Sequence, residues 1–191
     1  HHQDRESCDR IAYGLPYNQD NVIEALAAAN PNLAVCIISG NAVAMPWVAQ
    51  VPAIVECWYC GSQAGNSIAD VVFGKVNPSG KLPFTFPVKI EDSPAHALDA
   101  YTCGPDVKYK ESIYVGYRWF DTKEIKPLFA FGHGLSYTEF EYSDFKASSS
   151  ISANGTLKAS VKVKNIGSRE GKEVVQLYIG EQSPVLDRPA K

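Results

Sequence analysis

The first ten residues, HHQDRESCDR, place three carboxylates, two guanidinium groups and two imidazoles close together in sequence. A carboxyl group beside other carboxylates is harder to ionise, and one beside arginine is easier. A general acid working near neutral pH needs its proton held more tightly than an ordinary glutamate holds it. Glu6, between Asp4 and Asp9 but also near Arg5 and Arg10, is therefore a candidate whose tuning stays open at the level of sequence. From composition alone it reads as one more exposed glutamate in a polar loop. His1 and His2 read either as metal ligands or as remnants of a tag, and no metal is assigned to them.

Two other strings invite chemistry. Cys57-Trp58-Tyr59-Cys60 has C-x-x-C spacing, but a zinc site needs a second ligand pair that this string lacks. The plainer reading is a buried strand end running into a loop. Five cysteines, an odd number, leave at least one thiol without an intramolecular disulfide partner. Gly61-Ser62-Gln63-Ala64-Gly65 is a glycine turn ahead of a helix, a place where phosphate can bind. It matches neither G-x-G-x-x-G nor G-x-x-x-x-G-K-[ST], so nucleotide binding is not assigned.

These residues need elements to hold them. Asp20 and Asn21 are plausible N-caps for a helix with Ile23, Leu26 and Ala27 as its apolar stripe, ended by Asn30-Pro31. Leu33–Ser39 is a nearly continuous apolar run, which fits a strand covered on both faces of a parallel sheet. Residues 42–48 read as a short helix and Ala53–Cys57 as the next buried strand. Ile68, Val71 and Val72 lie on one face of a further helix. Gly74 stops it, and Asn77-Pro78-Ser79-Gly80 reads as a turn. Leu82, Phe84 and Phe86 alternate like one side of an edge strand bounded by Pro83 and Pro87. Alternating helices and strands of this kind predict an α/β fold: a three-layer α/β sandwich with a mostly parallel sheet over residues 18–87.

Residues 88–135 show little regular period, yet their aromatic residues argue against disorder. From Phe140 the pattern turns to β. Leu157, Ala159, Val161 and Val163 alternate, and Val175, Leu177 and Ile179 alternate again. Strands at 157–163 and 173–179, with Val161, Val163, Val175 and Leu177 on one shared core, are expected. The expected division is at 135/136, into the α/β domain with a linker and an incomplete, fibronectin type III-like β-sandwich.

Hydrophobic residues make up 45% and charged residues 20%, ordinary for a globular protein, and the formal net charge is −3. No basic surface points to nucleic acid, and no apolar run reaches membrane-spanning length. No cofactor is implied.

Four stretches carry a resemblance: GNSIADVVFGKVNPSGKLPFTFP (65–87), YVGYRWFD (114–121), PLFAFGHGLSYTEFEY (127–142) and VKNIGSREGKEVVQLYIG (163–180). In that order they resemble the C-terminal part of family 3 glycoside hydrolases, the β-glucosidase and β-xylosidase family. The resemblance implies a fragment of a retaining exo-β-glycosidase, most simply a β-glucosidase, acting on a terminal sugar of an oligosaccharide or aryl β-glycoside. Such enzymes need two carboxylates about 5–5.5 Å apart. In the family the nucleophile is an aspartate on a preceding barrel domain, and nothing here resembles that barrel. The acid/base glutamate sits in an E-G-x-D-R string on a loop of the second domain. Glu6-Ser7-Cys8-Asp9-Arg10 fits that frame, so the resemblance gives Glu6 the acid/base role, with Ser7 in place of the usual glycine. Gln63 stands where relatives carry a glutamate, and Cys60 where they usually carry proline. Arg118 and Trp119 read as structural. The family implies a periplasmic or extracellular protein whose signal lies upstream. The alternative function is a non-catalytic carbohydrate- or protein-binding scaffold module.

Overall fold

A computed structural model describes residues 12–101, 105–181, 187–189 and 191. In chain order the elements are α1 (Gln19–Ala29), β1 (Ala34–Ile37), β2 (Ala53–Glu56), α2 (Ala64–Val72), α3 (Pro94–Ala97), α4 (Tyr117–Thr122), β3 (Phe140–Ala147) and β4 (Ala159–Asn165). β1 and β2 pair in parallel, with Ala34 opposite Ala53 and Ile37 opposite Glu56. This is the α/β grammar expected from the apolar runs.

The core forms where one face of this sheet meets the loops around it. Trp47 is fully buried, and Ile37, Val43, Met45, Val51 and Phe86 are each buried beside it. Ile23 and Ala27 of α1, Val35 and Ile54 pack on the same cluster. Leu26 and Val22 stay half exposed, so the buried stripe of α1 is narrower than its apolar residues imply. Asp20 is inside the helix and not its cap. Asn18 occupies the N-cap with left-handed φ of 62°. Asp20 Oδ1 instead accepts the Trp47 indole N–H at 2.7 Å, giving the most buried side chain its polar partner.

Several expectations need correction. β1 is covered on one face only: Cys36 and Ala34 are exposed while Val35 and Ile37 turn inward. Among the described residues each strand has one β neighbour, so neither is interior. Continuous apolarity reports what a strand can bury, not what lies over it. Residues 42–48 are a loop leading into a 3₁₀ turn at Val48–Gln50. Asn77–Gly80 adopts no regular turn. Residues 82–86 form one β-bridge, Phe86 with Phe129, rather than a strand. The backbone there still exchanges bonds with 128–133, through Leu82 N–H to His133 O and Phe86 N–H to Phe129 O, both 2.8 Å. Pro83 and Pro87 lack the donors that would extend this ladder. Gly74 does end α2, with φ of 72° and its N–H on Val71 O at 2.9 Å.

Residues 88–135 hold α3, α4 and a 3₁₀ turn. Trp119 and Phe120 of α4 are buried, and the Trp119 indole donates to Asp92 O at 3.1 Å. That bond fits the structural role expected of Trp119.

β3 and β4 are antiparallel, with a bulge between Ser143 and Lys146. Asp144, inside the bulge, has a positive φ of 53°. Residues 173–179 are not a strand, and Val163, Val175 and Leu177 are exposed. The expected shared core is absent because the ladder partner of β4 is β3, and no further described strand lies beside the pair. An alternating pattern becomes a strand only when a neighbour takes its hydrogen bonds.

Candidate functional site

Glu6, with Asp4, Arg5, Ser7, Asp9, Arg10, His1 and His2, lies outside the described residues. What the structure shows is how the chain that follows this segment is held. The Tyr13 hydroxyl donates to Pro87 O at 2.7 Å. The Tyr13 carbonyl accepts the Ala44 N–H at 3.0 Å. Tyr13 and Leu15 both pack on the core.

Ala44 belongs to the loop that follows β1. Its start is a closed hydrogen-bonded turn: Ser39 Oγ donates to Asn41 O at 2.5 Å, and Asn41 Oδ1 takes the Ala42 N–H at 2.9 Å. Ser39, Ala42, Val43 and Met45 are buried. A rigid, buried loop thus pins the downstream flank of the candidate acid/base segment near the carboxyl end of a parallel strand. Open α/β sheets place their ligands outside that end. Sequence reasoning missed Tyr13 because a tyrosine in a polar loop carries no periodic signal.

The loop after β2 is built differently. Trp58 has positive φ, 50°, and its N–H donates to Glu56 Oε1 at 3.1 Å. Trp58 and Phe84 lie 5.6 Å apart, and Phe84 stacks on Phe86. Gln63 Oε1 accepts the Asn66 side chain at 2.6 Å. Burial, with Cys36 and Cys60 beside it, pushes the Cys57 thiol up to about 12, so Cys57 is a thiol and not a ready thiolate. Among the described residues, no group of three His, Cys, Asp or Glu could hold a metal ion.

Asn77 has a role the sequence did not disclose. Its Nδ2 donates to Glu170 O at 2.8 Å. Its Oδ1 accepts Ser136 Oγ at 2.9 Å and Tyr137 N–H at 2.8 Å. Around it Tyr137 OH donates to Val71 O, and Arg169 donates to Gly74 O. Lys81 bonds Gly134 O and pairs with Glu173 at 3.2 Å, both side chains largely shielded from water. Residues 74–81 are thus strapped to 134–137 and 169–173. In a recess beside Arg118, Glu181, Arg188 and Lys191, Arg188 pairs with Glu181 and Lys191 with Asp121, while Arg118 lies over the Tyr117 ring.

The model of the glycosyl hydrolase family 3 C-terminal domain matches residues 1–137. The chain belongs to glycosyl hydrolase family 3. It is 52% identical over 195 residues to β-glucosidase BoGH3A of Bacteroides ovatus, covering 100% of this chain and 26% of that protein. It is 46% identical over 187 residues to thermostable β-glucosidase B of Acetivibrio thermocellus, covering 97% of this chain and 25% of that protein. The β-glucosidase of Kluyveromyces marxianus, solved in complex with glucose, superposes with a TM-score of 0.87 at 39% identity, covering 97% of this chain and 22% of that one. The chain therefore spans about a quarter of the length of these relatives. The family and the α/β fold expected from the sequence both stand.

Proposed function

We propose that the protein carrying this chain is a retaining exo-β-glucosidase, and that this chain supplies its general acid/base, Glu6. The observation that carries the proposal is the match over the entire chain to enzymes named β-glucosidases, at 52% identity in one case. A second support is local. The segment after Glu6 is tied by Tyr13 to Pro87 and Ala44, which restrains one end of a loop that has to present a carboxyl accurately.

In this proposal Glu6 protonates the leaving oxygen while a carboxylate outside this chain attacks the anomeric carbon. Glu6, now ionised, takes a proton from the water that releases the sugar. The sugar keeps its anomeric configuration because two inversions cancel. We keep the division at 135/136 as part of the proposal, and an export signal upstream of this chain as well, which fractionation of the native source would test. The enzymatic test is incubation of the full-length protein with an aryl β-glucoside and NMR of the first-formed glucose. β-Glucose is the expected product. No hydrolysis, or α-glucose, would overturn the proposal.

A further inference from the structure

Asn154 and Gly155 lie in the loop that joins β3 to β4. The neck of that loop is closed. The Ser148 N–H donates to Lys158 O at 2.9 Å, and the Lys158 N–H returns a bond to Ser148 Oγ at 3.2 Å. Beyond the neck, residues 149–157 are all exposed. There the Gly155 N–H donates to Ser152 O at 2.8 Å, closing a tight turn with Asn154 at its third position. Glycine suits the place, because a Cβ on residue 155 would come within 2.9 Å of Ser152 Oγ and 3.0 Å of an Ile151 carbon.

An asparagine side chain carries a carbonyl carbon that the backbone nitrogen of the next residue can reach. A side chain on that next residue hinders the approach, and a held backbone prevents it. Asn154 alone among the asparagines of this chain precedes glycine. Asn30 and Asn77 precede proline, whose nitrogen has no proton to lose. Asn66 lies in α2, with its Nδ2 donating to Gln63 Oε1 at 2.6 Å. Asn41 Oδ1 accepts the Ala42 N–H at 2.9 Å, but Ala42 is buried in the rigid loop after β1.

We propose that Asn154 is a self-modification site, where the Gly155 nitrogen closes a succinimide on the Asn154 side chain and hydrolysis leaves aspartate or isoaspartate. The exposed turn bond to Ser152 opens, as single bonds in exposed loops do at little cost. Solvent base takes the Gly155 amide proton. The nitrogen attacks Asn154 Cγ, the new C–N bond forms, the Cγ–Nδ2 bond breaks, and Nδ2 leaves as ammonia after taking up a proton. Water then adds to one of the two imide carbonyls. Opening at Cγ gives aspartate, and opening at the main-chain carbonyl gives isoaspartate. The net change is amide plus water to carboxylate plus ammonium, with no oxidation. The loop gains a negative charge, and the isoaspartyl form adds a methylene to the main chain. Both changes stay beyond the Ser148–Lys158 neck, so the β3–β4 register is kept.

The test is incubation of the folded full-length protein at neutral and alkaline pH, then peptide mapping with electron-transfer fragmentation, which separates isoaspartate from aspartate. Asn154 should convert ahead of Asn41 and Asn66, to both products, and faster at alkaline pH. Asn154→Gln should show no conversion at 154 over the same period. In urea, where the turn no longer contributes, Gly155→Ala should convert more slowly than the wild type. Urea should also bring Asn41 and Asn66 into reaction while changing Asn154 little. An intact Asn154 in the folded protein, aspartate without isoaspartate, or equal rates for Gly155→Ala and wild type in urea overturns the proposal.

Discussion

Replacing Asn77 by aspartate changes one atom and tests the strap between 74–81 and 134–173. Aspartate keeps an acceptor for Ser136 Oγ and Tyr137 N–H, which lie 2.9 and 2.8 Å from Oδ1. It replaces the Nδ2 donor with an oxygen facing Glu170 O, now 2.8 Å away. One bond is lost and two acceptors are left facing each other. A neutral hydrogen bond contributes about 0.5–1.5 kcal/mol net. The Glu170 contact is solvent-exposed, so water relieves part of the repulsion, and the expected cost is about 1 kcal/mol. Asn77→Ala loses all three bonds and should cost about 2 kcal/mol, the part-buried Ser136 bond contributing most. The assay is native-state hydrogen exchange of the full-length protein, read at the Tyr137 amide. Since about 1.4 kcal/mol is tenfold in an equilibrium constant, Asn77→Ala should speed that exchange by about tenfold or more. Asn77→Asp should leave Tyr137 protected while speeding exchange in 169–173. Unchanged exchange in both variants would refute the idea that Asn77 holds the strap.

Asp20→Ala should destabilise the protein by about 1–3 kcal/mol in denaturant melts, because it strands the indole N–H of fully buried Trp47. A change below the scatter of the melts would mean that another group receives that N–H. His133 has its pKa lowered from 6.5, first by burial and then by Lys81. The unfolded chain therefore takes up a proton before the native one does. Stability from this group is full above about 6.5 and is lost as pH falls below it. His133→Gln should flatten the acid side of the stability–pH curve, and an unaltered slope would show that other groups set it.

How far the sequence could be read depended on where each signal came from. The β1 and β2 runs and the Gly74 stop were legible because apolar clustering and glycine are local properties. Residues 82–86 looked like a strand because alternation was visible, but their partner, 128–133, lies in a stretch with no period of its own. The 173–179 stretch failed for the same reason: strand character was written there and its neighbour was not. Asn77 was read as a turn former because its partners, Ser136, Tyr137 and Glu170, are remote in sequence. Glu6 is proposed only through the family frame, since nothing in the residue types of 1–10 distinguishes one carboxylate from another.

The central claim is that Glu6 is the acid/base of the full-length enzyme. The most direct measurement compares Glu6→Gln with Asp4→Asn on an alkyl and an activated aryl β-glucoside, with and without azide. General acid–base groups contribute about 10²–10⁴-fold. Glu6→Gln is expected to lose that much on the alkyl glucoside and less in the glycosylation step on the aryl one. Azide should restore turnover of the aryl substrate by attacking the glycosyl-enzyme directly. Asp4→Asn should show neither effect. Wild-type rates in Glu6→Gln, with leaving-group dependence and azide rescue in Asp4→Asn, would contradict the assignment.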